Sequence, residues 1–338
     1  MIEESKRKKA PHDLPRLIQE VLAQLGYDLD SDTVVEQVRR LDIGLPVEDE
    51  FSVVCAWLGK CLLLHKLDQQ QVPVISKQRF QVPDLLAKFS TQTNKSPVLI
   101  EVKSKKGNVL SFKPDYLERL KRYADLVSMP LLIAWKFHNI WLLFEARHMK
   151  KFNKNFNITF ETAMKENLIG ALAGDIAYKI GEGAGLHFWL DQEELLSIEK
   201  EKNKQTELDT MKFEDVYFTN YEKMQILDLE SDIKSLFATW DLAEKIEQIN
   251  SRTYLHYIAE KEGLQFTHMT LVRLLSAENP HEIRPHWRSL LNKEKVISSV
   301  TDFSSTLNKA LDQKIVSSIF DIRPQNIPEF LKDDNSSE

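Results

Sequence analysis

Three residues in the stretch VPDLLAKFSTQTNKSPVLIEVKSKK carry side chains that can do chemistry together: Asp84, Glu101 and Lys103. Asp84 precedes one apolar run, LLAKF, and Glu101 follows another, PVLI. A carboxylate beside a run that reads as core is costly unless something offsets its charge. If both runs are strands of one antiparallel hairpin, the two carboxylates converge at one edge of a sheet. Alone they would repel, and one would tend to hold its proton. A divalent cation removes that penalty. Mg²⁺ takes a few protein carboxylates, keeps several waters and binds phosphate oxygens. Glu101 and Lys103 are two positions apart, so on a strand they share a face. The lysine then sits beside the cation, where it can orient or deprotonate a water and stabilise charge on a phosphate. That combination suits phosphodiester hydrolysis.

The elements needed to position these residues are legible nearby. Three acids open EDEFSVVCAWLGKCLLLHKL, which reads as a buried helix over about 48–67. VPDLLAKF and PVLIEVKS read as two strands joined by the polar loop STQTNKS. PDYLERLKRYADLVS has apolar residues at helical spacing, with Pro114 in the first turn. PLLIAWKF and NIWLLFEA are two further strands around His138 and Asn139. The order helix, strand, strand, helix, strand, strand predicts a compact α/β unit with a mixed sheet.

Pro83-Asp84 followed by Glu101-Val102-Lys103, with these flanks, resembles the PD-(D/E)xK nuclease superfamily. The resemblance covers roughly residues 48–146. It implies a restriction-endonuclease-like fold, with a mixed central sheet flanked by helices. It also implies Mg²⁺-dependent endonuclease cleavage, with Mn²⁺ as a substitute. Asp84 and Glu101 would be metal ligands, Lys103 would lie near the attacking water, and the Val102 carbonyl would also bind metal. Many members place an acid on the first helix. Glu50 is the best match, because steps of three and four from it reach Val53, Val54, Trp57 and Cys61; Glu48 is the fallback.

Bulk composition fits this picture. The chain has 338 residues, a prior for two domains. Its net charge is -6, yet residues 76–125 hold eleven basic and five acidic residues, an asymmetry that can mark a polyanion-binding face. Lys105, Lys106, Lys113 and Arg119 are the candidate phosphate contacts around a cut site. Two cysteines, Cys55 and Cys61, exclude a disulfide framework, and no Cys/His cluster suggests zinc. MIEESKRKKAPHDLP has a basic run without an apolar region behind it, and PLLIAWKFHNIWLLF is interrupted by Lys136, His138 and Asn139. A cytoplasmic protein without membrane segments is expected.

The organisation expected is a helical N-terminal arm over 1–45, a nuclease-like domain with an extension over 46–200, and a mainly α-helical C-terminal region over 201–338. ENLIGALAGDIAYKIG reads as helix. The charged stretch from Glu193 to Lys212 reads as a surface helix or linker. GEGAG, at 181–185, reads as a tight turn and lacks the setting of a phosphate loop. LHYIAEKEGLQFTHMTLVRLL resembles a helix-turn-helix loosely, although a generic packed helix pair is the better reading. His281 and His286 find no third ligand.

These features predict a metal-dependent nuclease with nucleic acid as substrate, DNA favoured over RNA on family grounds, in defence or DNA processing. The acidic C-terminal region is a candidate protein contact, and a homodimer is allowed. The alternative is a catalytically silent nucleic-acid-binding or scaffold subunit of a larger complex with the same fold.

Overall fold

The run VLIEVKS becomes a strand, β3 (Val98–Ser104), whose first five residues are all buried. A strand covered on both faces needs such a continuous apolar run. The computed structural model describes residues 47–67, 73, 75–91, 97–201, 204–250, 252–261, 263–278, 287–291, 297, 300 and 302–332. The expected N-terminal arm, most of the STQTNKS loop and both His281 and His286 lie outside the described residues.

The chain enters as a helix over residues 47–57, here α1. It continues as β1 (Cys61–Lys66), α2 (Ser76–Arg79), β2 (Leu85–Phe89), β3, β4 (Val109–Phe112) and α3 (Pro114–Leu126). Then come β5 (Leu131–Phe137), β6 (Ile140–Glu145), β7 (Lys150–Phe152), β8 (Asn155–Thr159), α4 (Phe160–Lys165) and α5 (Ile169–Ala173). The central sheet has the order β1-β2-β3-β5-β6. β3 and β5 run parallel, with Glu101 opposite Ile133. The other neighbours are antiparallel, with Leu85 opposite Ile100. A parallel pair needs a crossover, and α3 lies in that connection. The mixed central sheet flanked by helices expected from the sequence is present.

The sheet divides its side chains by strict alternation. Ile100, Val102, Leu132 and Ala134 pack with Phe51 and Val54 of α1. Leu99, Ile133 and Trp135 face the other way, against Leu117 and Leu120 of α3. A second small sheet, β4-β8-β7, extends this latter layer through Leu110, Phe112 and Ile158.

Three expectations need correction. The first helix is shorter than expected. It ends near Trp57, Gly59 takes a left-handed φ of 88°, and CLLLHK returns as the edge strand β1. A short apolar run is ambiguous between buried helix and strand. Here a glycine stop and main-chain pairing to β2 decide it. ENLIGALAGDIAYKIG also divides, into the short α5 and then a strand, with Gly174 (φ 96°) between them.

The mainly helical C-terminal region is the largest correction. After β9 (Ala177–Ile180) and a turn at the GEGAG stretch, the chain forms a long hairpin of β10 (Gly185–Glu201) and β11 (Lys204–Thr219). The expected linker over 193–212 and the boundary near residue 200 therefore fall inside paired strands. β12 (Gln225–Ile226), α6 (Ser231–Phe237), β13 (Ala243–Ile249), β14 (Arg252–Ile258) and β15 (Gly263–Phe266) follow. The chain then forms α7 (Thr267–Glu278), α8 (Trp287–Leu290), α9 (Phe303–Asp312) and β16 (Val316–Phe320). β12-β11-β10-β14-β13 form a five-stranded antiparallel sheet, and β15-β9-β16 a three-stranded one. Of the helix-turn-helix, only the second helix exists, as α7. RTYLHYI is a strand, because its aromatic and β-branched residues suit a pleated surface and β13 and β10 pair with it.

The C-terminal elements pack on the central sheet. Leu236, Leu271 and Leu307, from α6, α7 and α9, belong to the same buried cluster as Phe51 and Ile100. His268 completes the junction. Its Nε2 accepts from the Trp141 backbone N–H at 3.1 Å, which leaves Nδ1 to donate to Asp175 at 2.7 Å. Both side chains of that pair are almost wholly buried.

Candidate active site

The chemistry-bearing residues meet at the end of the β2–β3 hairpin. Asp84 sits one residue before β2 and accepts the Val102 N–H through Oδ2 at 2.7 Å. That bond ties Asp84 to the strand carrying Glu101 and Lys103. Glu101 is fully buried. The Lys103 ammonium donates to Glu101 Oε1 and to the Val102 carbonyl at 3.0 Å, and lies 3.9 Å from Asp84 Oδ2. The structure thus brings Asp84, Glu101, Val102 and Lys103 together.

Tyr116, in the first turns of α3, donates its hydroxyl to Glu101 Oε1 at 2.6 Å. Sequence reasoning treated Tyr116 only as an apolar helix position. The one available signal was its polar tip on a core-facing stripe, since a buried tyrosine hydroxyl usually finds a partner. Phe112 stacks on Tyr116 at 5.9 Å between ring centroids. The Lys103 ammonium lies 5.7 Å from the Tyr116 ring centroid.

Electrostatics follow from burial. Burial pushes the Glu101 carboxyl up to about 7, and Asp84 adds to the rise, while Lys103 and Tyr116 oppose it. For Lys103, burial works to lower the ammonium, but Glu101 and Asp84 more than offset it and hold it above the ordinary lysine value. Tyr116 is raised well above the ordinary phenol value by burial and then by Glu101.

The acid on α1 is where the first choice fails. Glu50 does not join this group. Its Oε1 accepts from Trp141 Nε1 at 3.1 Å, and its Oε2 pairs with Lys136. Lys136 and Trp141 are directly opposite each other in the β5–β6 register. They lie on the α1 side of the sheet, away from the face that carries Glu101. Glu48, the fallback, is the acid that feels the site. Burial and then the charge of Asp84 raise its carboxyl, while Lys66 and Lys103 lower it. Lys66, on β1, bridges Glu48 at 3.1 Å and Asp49 at 2.7 Å. Successive helix residues are about 100° apart, so acids two apart point in nearly opposite directions.

The basic candidates also separate. Lys105, Lys106 and Lys113 are exposed. Arg119 is committed to the scaffold: its Nε pairs with Asp115 at 3.0 Å, and its Nη1 donates to the Lys77 carbonyl at 2.8 Å.

The donor set fits a divalent cation on two observations. Glu101 Oε2 is buried with no hydrogen-bond partner, and a carboxylate oxygen in that state is costly. The Lys103 ammonium already contacts both carboxylates and the Val102 carbonyl, so this cluster of oxygens accepts a cation. Among the described residues, no three His, Cys, Asp or Glu side chains form a ready cage. Two carboxylates and a carbonyl are a sparse set, of the kind Mg²⁺ uses while keeping water.

Residues 74–174, which span this site apart from α1 and β1, match the family model described as archaeal Holliday junction resolvase (Hjc). The matched family belongs to the PD-(D/E)xK nuclease superfamily, which the sequence motif resembles. Among solved structures, part of the chain is similar to the Holliday junction resolvase Hjc of Archaeoglobus fulgidus. That match is 23% identical, covers 35% of this chain and 89% of the other, and has a TM-score of 0.29. No curated protein matches the chain. The matched segment carries Asp84, Glu101 and Lys103 on the hairpin, and the C-terminal sheets lie beyond it. Among the described residues, no helix is long and apolar enough to cross a membrane.

Proposed function

We propose that the protein is a metal-dependent endonuclease that hydrolyses phosphodiester bonds of DNA, with branched DNA as its preferred substrate. The observation that supports this best is the convergence of Asp84, Glu101, the Val102 carbonyl and Lys103 on one buried point within the resolvase-like segment. The preference for branched DNA comes from the description of the matching family. Asp84, Glu101 and the Val102 carbonyl would hold the cation, Mg²⁺ or Mn²⁺, with Glu48 at the margin. When bound, it acidifies water and polarises the phosphoryl oxygen.

The chain's own groups divide the remaining work. Tyr116 fixes Glu101 by donating to Oε1, so Oε2 is the oxygen left to take a ligand. Lys103 reaches Glu101, Val102 and Asp84 through one ammonium. Release from any of them places a donor beside the phosphate, where it stabilises developing negative charge and orients water. Lys105, Lys106 and Lys113 supply exposed positive charge along the substrate.

The test uses a four-way DNA junction and a linear duplex with Mg²⁺ or Mn²⁺. Wild type should cut the junction. Lys103→Ala and Asp84→Ala should each lower the rate by about 10²–10⁴, with unchanged circular dichroism. Equal cleavage by wild type and both variants would remove the site assignment.

A further inference from the structure

The small sheet β4-β8-β7 carries features that neither the nuclease site nor the core explains. Its inner side is used, since Leu110, Phe112 and Ile158 are buried in the core. Its outer side forms one wall of an open cleft of about 1080 Å³. Cross-strand register aligns Ser111, Asn157 and Lys150 in one row, with Asn155 and Phe152 in the next. These side chains therefore share the outward face. Phe152 is 67% exposed at the end of β7. Asn153 makes the turn beside it with a left-handed φ of 53°, a conformation that asparagine tolerates. A single exposed apolar side chain is ordinary; what sets Phe152 apart is that it lines the cleft together with Lys150, Lys154 and Asn155.

The charge pattern names the occupant. Residues 104–113 and 148–159 contain six lysines and no Asp or Glu, in a chain of net charge -6. Lys150, Lys151 and Lys154 are all exposed. Basic side chains interleaved with an exposed aromatic and amides are what single-stranded nucleic acid needs: phosphate neutralisation, a stacking platform and polar contacts to base edges. The sheet is also continuous with the nuclease site, because Phe112 of β4 stacks on Tyr116 and lies 6.0 Å from the Lys103 ammonium.

We infer that the outer face of β4-β8-β7 binds unpaired nucleotides of the nucleic-acid substrate, with Phe152 stacking on a base and Lys150 and Lys154 holding phosphates. A branch point or frayed end beside the cut site would supply such nucleotides. The inference rests on the nucleic-acid reading of the neighbouring site but not on its chemistry, so it is tested without cleavage.

Fluorescence anisotropy of the full chain in EDTA, with a labelled single strand and the fully paired duplex of the same sequence, reads it out. Phe152→Ala should weaken single-strand binding by about 5- to 150-fold, the range for one base stack, and duplex binding by less than about twofold. Lys150→Gln with Lys154→Gln should weaken both and flatten the single-strand salt slope by about 1.4, or about 0.7 per lost contact. Unchanged affinity for both probes would overturn the inference. So would a change of oligomeric state in Phe152→Ala by sedimentation, which would make the face a contact between copies of this chain. Junction cleavage by wild type in Mn²⁺, run in parallel, keeps the nuclease reading separate. Cleavage with unaltered Phe152→Ala binding sinks only the face, and specific strand binding without cleavage sinks only the nuclease.

Discussion

Glu101 shows how a single carboxylate can be both buried and useful. Burial raises it to about 7, and Tyr116 and Lys103 work against that rise. A ligand carboxylate must lose its proton to take a cation, so cation affinity should depend on pH. Divalent-cation binding measured by calorimetry should weaken as pH falls through about 7, the acidity set by burial of Glu101. Tyr116→Phe removes a hydrogen bond that favours the ionised form. It should move the midpoint of that dependence upward by about one pH unit, since a bond to a charged group contributes about 1.5–3 kcal/mol, part of which water recovers. Binding that stays flat between pH 6 and 8.5 in both proteins would show that Glu101 is not a ligand. At this scale the sequence was informative for Asp84, Glu101 and Lys103, because strand alternation and hairpin pairing are local rules. It was uninformative for Tyr116, whose role depends on how α3 lies over β3.

At the level of elements, two glycines frame the passage from α1 into the sheet. Gly59 and Gly174 both have left-handed φ, at 88° and 96°. The Lys60 N–H donates to the Ala173 carbonyl between them, at 3.3 Å. A Cβ at Gly59 would meet nothing within 4 Å, whereas one at Gly174 would lie 3.0 Å from the Leu58 carbonyl oxygen. Gly59→Ala should therefore cost only the backbone strain, about 1–2 kcal/mol, and Gly174→Ala measurably more. Urea denaturation ranks the two, and an equal or reversed order would contradict this account. The same segment explains why the first helix was overextended in sequence. CLLLHK is apolar enough to continue a buried helix, and only the edge position beside β2 makes it a strand. The charged stretch from Glu193 to Lys212 misled for a related reason. A strand need not alternate cleanly, so its pairing with a neighbour carries the signal that its own composition lacks.

Across the whole molecule, the C-terminal elements and the central sheet share one buried cluster, and Asp175, His268 and the Trp141 backbone tie them with hydrogen bonds. His268→Ala would leave Asp175 Oδ2 and the Trp141 N–H without their partners, while the backbone N–H of residue 268 still bonds Asp175 Oδ1. Each buried polar group left without a partner costs about 1–3 kcal/mol. Chemical denaturation should show a loss of that size, while the cleavage rate of the folded variant in the cold should stay within a few-fold of wild type, because His268 packs on the side of the sheet away from Glu101. A loss of cleavage without loss of stability would contradict a purely structural tie. The sequence by itself determined the hairpin, the mixed sheet and the Asp84–Glu101–Lys103 group, since each depends on periodicity within a few residues and on pairing between adjacent strands. Tertiary structure alone decided which acid of α1 faces the site, since a helix rotates Glu48 and Glu50 by about 200° relative to each other and only docking chooses between them. It also decided that residues beyond 200 build sheets, because β14 joins β10, and β15 and β16 join β9, across dozens of residues, and no local pattern records those pairings.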